Sequence, residues 1–167
     1  MATTTKNTTK KVERIPLKKT PDATALLRAD HKEVDALFKE YEATNSVAKK
    51  KTLVSQICTA LTVHAQIEEE IFYPAVKLAL KDKELIPEAS VEHATLKNLI
   101  AQIEGIEPDG EMYDAKVKVL SEYVKHHVKE EQNEIFPKAK ESSKLDLVDL
   151  GVKLQERKNE LLAAQAS

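Results

Sequence analysis

Large apolar residues recur along most of the chain at intervals of three and four, the spacing of the buried side of an amphipathic helix. Four long blocks follow this spacing, over residues 22–43, 46–80, 88–104 and 111–140. A cap-like Thr20-Pro21-Asp22 precedes the first block, Gly105 follows the third, and the turn sequence Pro108-Asp109-Gly110 precedes the fourth. The pattern therefore predicts four helices joined by short connections.

Short connections make successive helices antiparallel neighbours, which predicts an all-α fold, an up-down four-helix bundle. The composition agrees, because the chain has three glycines and no tryptophan and is rich in helix-forming residues. Its 167 residues suffice for one hydrophobic core. We expect a bundle over residues 22–141, and in residues 142–167 a short C-terminal helix that packs on one end of it.

Residues 1–21 differ from the rest because they are rich in threonine, carry six basic residues and have almost no large apolar groups. Such a segment cannot bury enough surface to order itself, which predicts a flexible basic tail. The alternative is a basic arm that docks on an anionic partner. Without interleaved aromatic residues, however, the six cations are a weak sign of nucleic-acid binding.

Charge and targeting signals exclude several classes of protein. The net charge of −2, from 26 basic and 28 acidic residues, favours neither nucleic acid nor an acidic membrane as a partner. The single Cys58 excludes a disulfide framework within the chain, and the first residues lack the apolar core of a secretory signal. No apolar run approaches the roughly 20 residues that span a bilayer. We therefore expect a cytoplasmic protein that binds neither nucleic acid nor membranes.

One pattern occurs twice in the chain. His64-Ala-Gln-Ile-Glu68 runs on to Pro74, and His127-Val-Lys-Glu-Glu131 runs on to Pro137, with ten residues from His to Pro in both. A lone histidine precedes each segment by 33 or 34 residues, so that the chain reads as two copies of one helical hairpin. The positions that repeat are His31, His64, Glu68, His93, His127 and Glu131.

All six positions lie on the apolar stripes, and the histidine and glutamate of each His-x-x-x-Glu pair project from one helix face. A buried carboxylate without a positive partner costs several kcal/mol. Four imidazoles and two carboxylates suit two metal ions that share the glutamates, and this mixture of ligands favours iron first and manganese second. Two alternatives need no metal: surface His–Glu pairs, which are common, and mutual His–Glu hydrogen bonding in the core.

Several neighbouring side chains compete for a role. His126 and Glu130 also stand four apart, but only His127 and Glu131 keep the ten-residue distance to proline. We therefore expect His126 to be exposed or to lie beside the ligands.

Other side chains near the motif have expected roles as well. Tyr123 is expected to be a core tyrosine rather than a hydrogen-bond donor above the site, and Cys58 a small core residue. Four glutamates are interpreted as solvated or outer-sphere acids: Glu69, Glu70, Glu130 and Glu134. Asp30 and Glu92, each directly before a lone histidine, could be either.

Pro74 and Pro137 should each disturb a helix, because proline lacks the donor that would reach the carbonyl four residues back. Either each helix ends there, or a kink lets the segment wrap the end of the bundle without moving the histidine and glutamate. The sequence does not choose between these.

His31, His64-x-x-x-Glu68, His93 and His127-x-x-x-Glu131 with Phe136-Pro137 together resemble the hemerythrin-like family, also called the HHE cation-binding domain, over about residues 22–140. Two pairs near the C-terminus, Leu150-Gly151 and Arg157-Lys158, also look like family tails. The resemblance implies a four-helix bundle with two non-haem iron ions, joined by an oxo or hydroxo bridge. It further implies binding of dioxygen, nitric oxide or peroxide, with roles in oxygen carriage, iron handling or stress sensing.

One position departs from the oxygen-carrying hemerythrins, which place a second histidine four residues after the one that His93 resembles. Here that position is Lys97. The resemblance then implies a nearly symmetric site, with His31 and His64 on one iron, His93 and His127 on the other, and both glutamates bridging.

With Lys97 at that position, redox reaction with peroxide or nitric oxide gains ground over reversible oxygen storage. We expect a di-iron protein that binds or reacts with a small oxidant in redox stress sensing or handling. The alternatives are a peroxide-consuming or ferroxidase enzyme, or a protein of iron storage or repair.

Overall fold

The computed structural model describes residues 21–108 and 110–166, so that the expected tail falls outside the described residues except for Pro21. Helices account for all of the regular structure in these ranges, which confirms the all-α class. They are α1 (Ala23–Ala43), α2 (Val47–Ile67), α3 (Tyr73–Leu80), α4 (Leu85–Ile103), α5 (Glu111–Glu130), α6 (Phe136–Glu141) and α7 (Leu147–Gln165). Two π-helical segments join α2 to α3 (Glu68–Phe72) and α5 to α6 (Glu131–Ile135).

Side-chain caps define where several helices begin. The Asp22 carboxylate accepts a hydrogen bond from the Ala25 N–H at 3.0 Å and begins α1. Helix α4 begins at Leu85, three residues before the predicted start at residue 88, because the Asp82 carboxylate accepts from the Leu85 and Ile86 N–H groups. Pro87 lies in this first turn, where a missing backbone donor costs little, so it did not delay the helix.

The helices pair as the sequence predicted. Helix α1 packs against α2 and α4 against α5, which gives two antiparallel hairpins and one bundle. Helix α7 has 19 residues, falls within the expected range 142–167, and lies along α1 and α2 rather than only across an end. No helix in the described ranges is both long and apolar enough to cross a membrane.

The prolines do not end the helices. Each follows a π-helical turn, in which the Tyr73 N–H donates to the Glu68 carbonyl and the Phe136 N–H to the Glu131 carbonyl, five residues back. Pro74 and Pro137 then fall in the first turn of α3 and α6, where proline is tolerated. Helix termination at the prolines is therefore wrong, because the chain stays helical through both segments.

The buried apolar residues form two clusters, one toward each end of the bundle. The first includes Phe38, Ile57 and Leu120, and the second includes Leu27 and Phe136. Cys58 lies in the first cluster, where burial raises the pKa of its thiol to about 12. It is thus a small core residue, as predicted, with little thiolate at neutral pH.

Candidate metal centre

A layer of polar side chains lies between the two apolar clusters. All six predicted ligands are in it: His31 from α1, His64 from α2, His93 from α4 and His127 from α5, with Glu68 and Glu131 as the first residues of the two π-helical segments. Both glutamates are fully buried, and each histidine is at most 7 % exposed. The structure therefore brings together every side chain that the repeat singled out.

The four histidines form two pairs with nearly the same geometry. The Nε2 atoms of His31 and His64 are 3.1 Å apart, and so are those of His93 and His127. The ring planes cross at 66° in the first pair and 61° in the second. We call His31 with His64 the first half of the site and His93 with His127 the second half.

The two glutamates reach both halves. Glu68 places Oε1 at 3.1 Å from His64 Nε2 and Oε2 at 3.3 Å from His93 Nε2. Glu131 places one atom, Oε2, at 3.1 Å from His31 Nε2 and 3.9 Å from His127 Nε2. Glu68 thus spans the halves with two oxygens, and Glu131 lies between them with one.

Three acidic residues, which we call the outer carboxylates, hold the opposite side of the histidine rings. Asp30 lies 3.2 Å from His64 Nδ1, Glu69 lies 3.0 Å from His93 Nδ1, and Glu92 lies 2.5 Å from His127 Nδ1. A carboxylate can only accept here, so these three Nδ1 atoms each carry a proton and their Nε2 atoms face inward. At His31 the arrangement is reversed, because the amide nitrogen of Gln132, which is a donor, lies 2.9 Å from Nδ1.

The inward-facing Nε2 atoms and glutamate oxygens are groups that could bind a metal cation. Among the described residues, Glu68 Oε1 and Glu131 Oε2 are buried without any hydrogen-bond partner. Buried acceptors that face one another need a positive charge between them. Two ligand atoms at right angles on an ion with bonds of about 2.1 Å stand about 3.0 Å apart, close to the spacing within each histidine pair.

The titration behaviour without a metal reflects this crowding. Burial and the neighbouring Glu68 carboxylate raise the pKa of Glu131 well above its usual range. Burial and the nearby His64 lower the pKa of His31 to about 3, which keeps this ring neutral. A bound cation would remove the need for the proton on Glu131, because metal ligation and protonation compete for the same oxygens.

Tyr73, which the sequence analysis missed, lies in the second half. Its hydroxyl oxygen is 3.2 Å from His93 Nε2 and 3.3 Å from His127 Nε2, and it donates to the two glutamates at 3.3 and 3.2 Å. The signal was in the register, because aligning the repeats on Pro74 and Pro137 places Tyr73 opposite Phe136. Phe136 instead stacks on His31 at 5.9 Å between ring centroids. One hydroxyl therefore breaks the near symmetry that we expected.

The other expectations have mixed outcomes. Tyr123 is 44 % exposed, so its assignment to the core is wrong: its position on α5 turns it outward.

The charged neighbours lie outside the ligand layer. His126 is exposed and lies 3.3 Å from both Glu92 and Glu130, beside the candidate ligands as expected. Glu134 is exposed and Glu70 pairs with Arg157. Lys97 makes an ion pair of 2.6 Å with Glu69 and stays out of the ligand layer.

Comparison with known proteins agrees with this arrangement. Residues 22–139 match the model of the hemerythrin HHE cation-binding domain. The chain belongs to this family. A hemerythrin HHE cation-binding domain protein from Mycobacterium kansasii has a similar crystal structure, with a TM-score of 0.72 and 20 % identity over 86 % of this chain and 89 % of that one. At this identity the likeness concerns the fold alone.

The HHE domain also matches a curated relative, a protein named DNA nickase from Nostoc sp., with 32 % identity over 111 residues. The match covers 66 % of this chain but 31 % of the relative, so that the chain spans about a third of the relative's length. That name describes the longer protein. For the HHE domain described here, family membership supports cation binding, and the clustered histidines and glutamates supply groups that could hold the cation.

Proposed function

We propose that this HHE domain is a non-haem di-iron protein that binds or reacts with a small oxidant. The observation that carries the proposal is the pair of facing Nε2 atoms in each half, together with two buried carboxyl groups that each have an inner oxygen without a hydrogen-bond partner. His31 and His64 would hold one iron and His93 and His127 the other, with Glu68 and Glu131 shared. When bound, the iron pair supplies one-electron redox chemistry and positions at which a small molecule can bind.

A small cavity beside the ligands favours a small uncharged oxidant. It has a volume of about 20 Å³ and is lined by the four histidines and by apolar side chains that include Leu61, Leu96, Ile100 and Val124. A cavity of this size holds about one water-sized molecule, and an apolar wall gives a hydrated molecule few partners. We therefore place dioxygen or nitric oxide before peroxide as the bound molecule.

Tyr73 supports a second candidate, the consumption of peroxide. Burial and the two nearby glutamates raise the pKa of the Tyr73 phenol well above its usual range, so the phenol keeps its proton at neutral pH. It is a proton donor that contacts both buried glutamates. Repeated reduction of peroxide to water takes two electrons per peroxide, which an added reductant would supply by way of the iron pair, and two protons, of which a phenol held at the site can deliver one.

The reaction of reduced, iron-loaded protein with each oxidant distinguishes the candidates. For the first candidate, we expect dioxygen or nitric oxide to give an optical band that disappears under vacuum or argon. For the second, we expect repeated consumption of peroxide with no lasting band. Absence of both responses in protein that holds iron would contradict the proposed function.

The relative's name gives a further test, because we propose that nucleic acid is not a partner of this chain. Iron-loaded protein should leave supercoiled plasmid intact, with catalase present to remove peroxide. Conversion to nicked circles that is lost in the His64→Ala variant would overturn this proposal. The cytoplasmic location and the role in redox stress stay predictions.

A further inference from the structure

Each outer carboxylate has a nitrogen atom near its second oxygen. Lys158 Nζ lies 2.6 Å from Asp30 Oδ1, Lys97 Nζ lies 2.6 Å from Glu69 Oε2, and His126 Nε2 lies 3.3 Å from Glu92 Oε1. Three of the four rings are thus connected outward to a carboxylate, and two of these carboxylates pair with a lysine. The fourth ring, His31, meets the neutral Gln132 amide instead.

The two lysines reach the outer carboxylates from two different helices, α4 and α7. Lys97 stands one turn after His93 on α4, at the position where the oxygen carriers have a histidine. Lys158 belongs to α7, which we had interpreted as packing alone, and it connects that helix through Asp30 to His64 on α2. Each half of the ligand layer therefore has one lysine that is separated from a histidine ring by one carboxylate.

The charge on an outer carboxylate changes the ring that it accepts from. A carboxylate that accepts the Nδ1 proton makes the imidazole a stronger donor to a metal at Nε2. A cation on the other carboxylate oxygen draws charge away and weakens this effect. The Asp30 side chain is 8 % exposed and that of Lys158 is 22 % exposed, so solvent screens this pair less than Lys97 and Glu69 at 48 and 33 %.

We propose that Lys97 and Lys158 are positioning residues that act through Glu69 and Asp30 to limit electron donation by His93 and His64. Their effect is to hold the reduction potential of the iron pair higher than the carboxylates alone would set it. This inference rests on the proposed function, since it needs the metal to be bound at these rings. Lys97 thus has a role of its own through Glu69, and its position is more than the place where a histidine ligand is missing.

The test compares reduction potentials in matched variants of the iron-loaded protein. Lys97→Met keeps the length of the side chain and removes the charge, and Lys153→Met is its control. Lys153 makes a surface pair of 2.6 Å with Asp149 on α7, so this control changes the net charge equally without touching an outer carboxylate. We expect Lys97→Met to lower the midpoint potential, Lys97→Arg to restore it, and Lys153→Met to leave it unchanged.

Glu69→Gln should shift the midpoint potential in the opposite direction. A neutral amide is a weaker acceptor than a carboxylate, so His93 donates less to the metal and the potential rises. Lys158→Met should lower it more than Lys97→Met, because its ion pair is less exposed. Shifts of the same sign in Lys97→Met and Glu69→Gln, or a Lys97→Met value equal to that of Lys153→Met, would overturn the inference.

A measurement on the metal-free protein separates failure of this inference from failure of the proposed function. Nitrogen NMR of the imidazoles should find a proton on Nδ1 of both His64 and His93, and a bare Nδ1 on either ring would overturn the inference. If the wild type takes up no iron, the proposed function fails and the inference fails with it. If all variants hold the same iron and the potentials do not differ, only the inference fails.

Discussion

At the scale of single residues, the site is defined by where protons lie. Asp30, Glu69 and Glu92 accept from the Nδ1 atoms of three candidate ligand rings, so that the Nε2 atoms of these rings face inward. Residue types and spacing predicted the six candidate ligands, because a helix places positions four apart on one face. They did not single out Tyr73, although the register of the two prolines sets it opposite Phe136.

Tyr73→Phe tests the role of this hydroxyl. If the site consumes peroxide, loss of the proton donor should slow consumption on the order of 100-fold while the bound iron is retained. Tyr123→Phe is the control, because Tyr123 is exposed. Equal rates in the two variants and the wild type, measured by peroxide loss with the iron content matched, would contradict a role for Tyr73 in proton delivery.

Glu131→Gln and Glu130→Gln test which neighbour is the shared ligand. Without metal, burial and the neighbouring Glu68 raise the pKa of Glu131 well above its usual range, so its charge is costly and a neutral amide should not lower the thermal midpoint of the metal-free protein. Iron per chain should fall in Glu131→Gln and stay at the wild-type level in Glu130→Gln. Equal iron content in the two variants, by elemental analysis, would show that the register of the second repeat was wrong.

At the scale of the elements, the two π-helical segments matter most. Each begins at one of the two buried glutamates and ends just before the helix that contains the proline. The helices and their pairing could be predicted from apolar periodicity, but a π-helical turn has no periodicity of its own over five residues. The packing of α7 along two helices could not be predicted, because this helix has only three buried residues among those described.

Gly151→Ala tests how closely α7 approaches the start of α1. A Cβ at this position would lie 2.4 Å from the Pro21 carbonyl oxygen, so the backbones must separate. We expect the free energy of unfolding to fall by about 1 to 3 kcal/mol in chemical denaturation. Val152→Ala, a change at a more exposed neighbour on the same helix, should cost less, and the reverse order would contradict this packing.

Asp22→Ala tests the cap of α1. Partial burial opposes the charge of Asp22, but hydrogen bonds from Ala25 and Thr24 outweigh it and lower its pKa below the usual 3.8. The cap therefore stabilises the fold fully above that value and loses its effect as the pH falls through the lower, folded-state pKa. We expect a loss of about 1 kcal/mol at pH 7 that shrinks below pH 4 in urea titrations. A loss independent of pH would contradict the charged cap.

At the scale of the whole molecule, a polar layer of four imidazoles and two carboxylates lies between two apolar clusters. Such a layer is costly to bury without a cation, and a ligand that binds only the folded chain stabilises it by mass action. Iron should therefore raise the thermal midpoint of the wild type. The sequence predicted this layer because its members recur in register, whereas the difference between its halves depends on one hydroxyl and on neighbours from other helices.

The most direct test of the central claim is the number of iron ions per chain, measured with Mössbauer spectroscopy on the same sample of air-oxidised wild-type protein. We predict two irons per chain and a magnetically coupled pair. One iron or fewer per chain after loading with excess ferrous iron, or a spectrum of isolated high-spin ferric ions, would contradict the account.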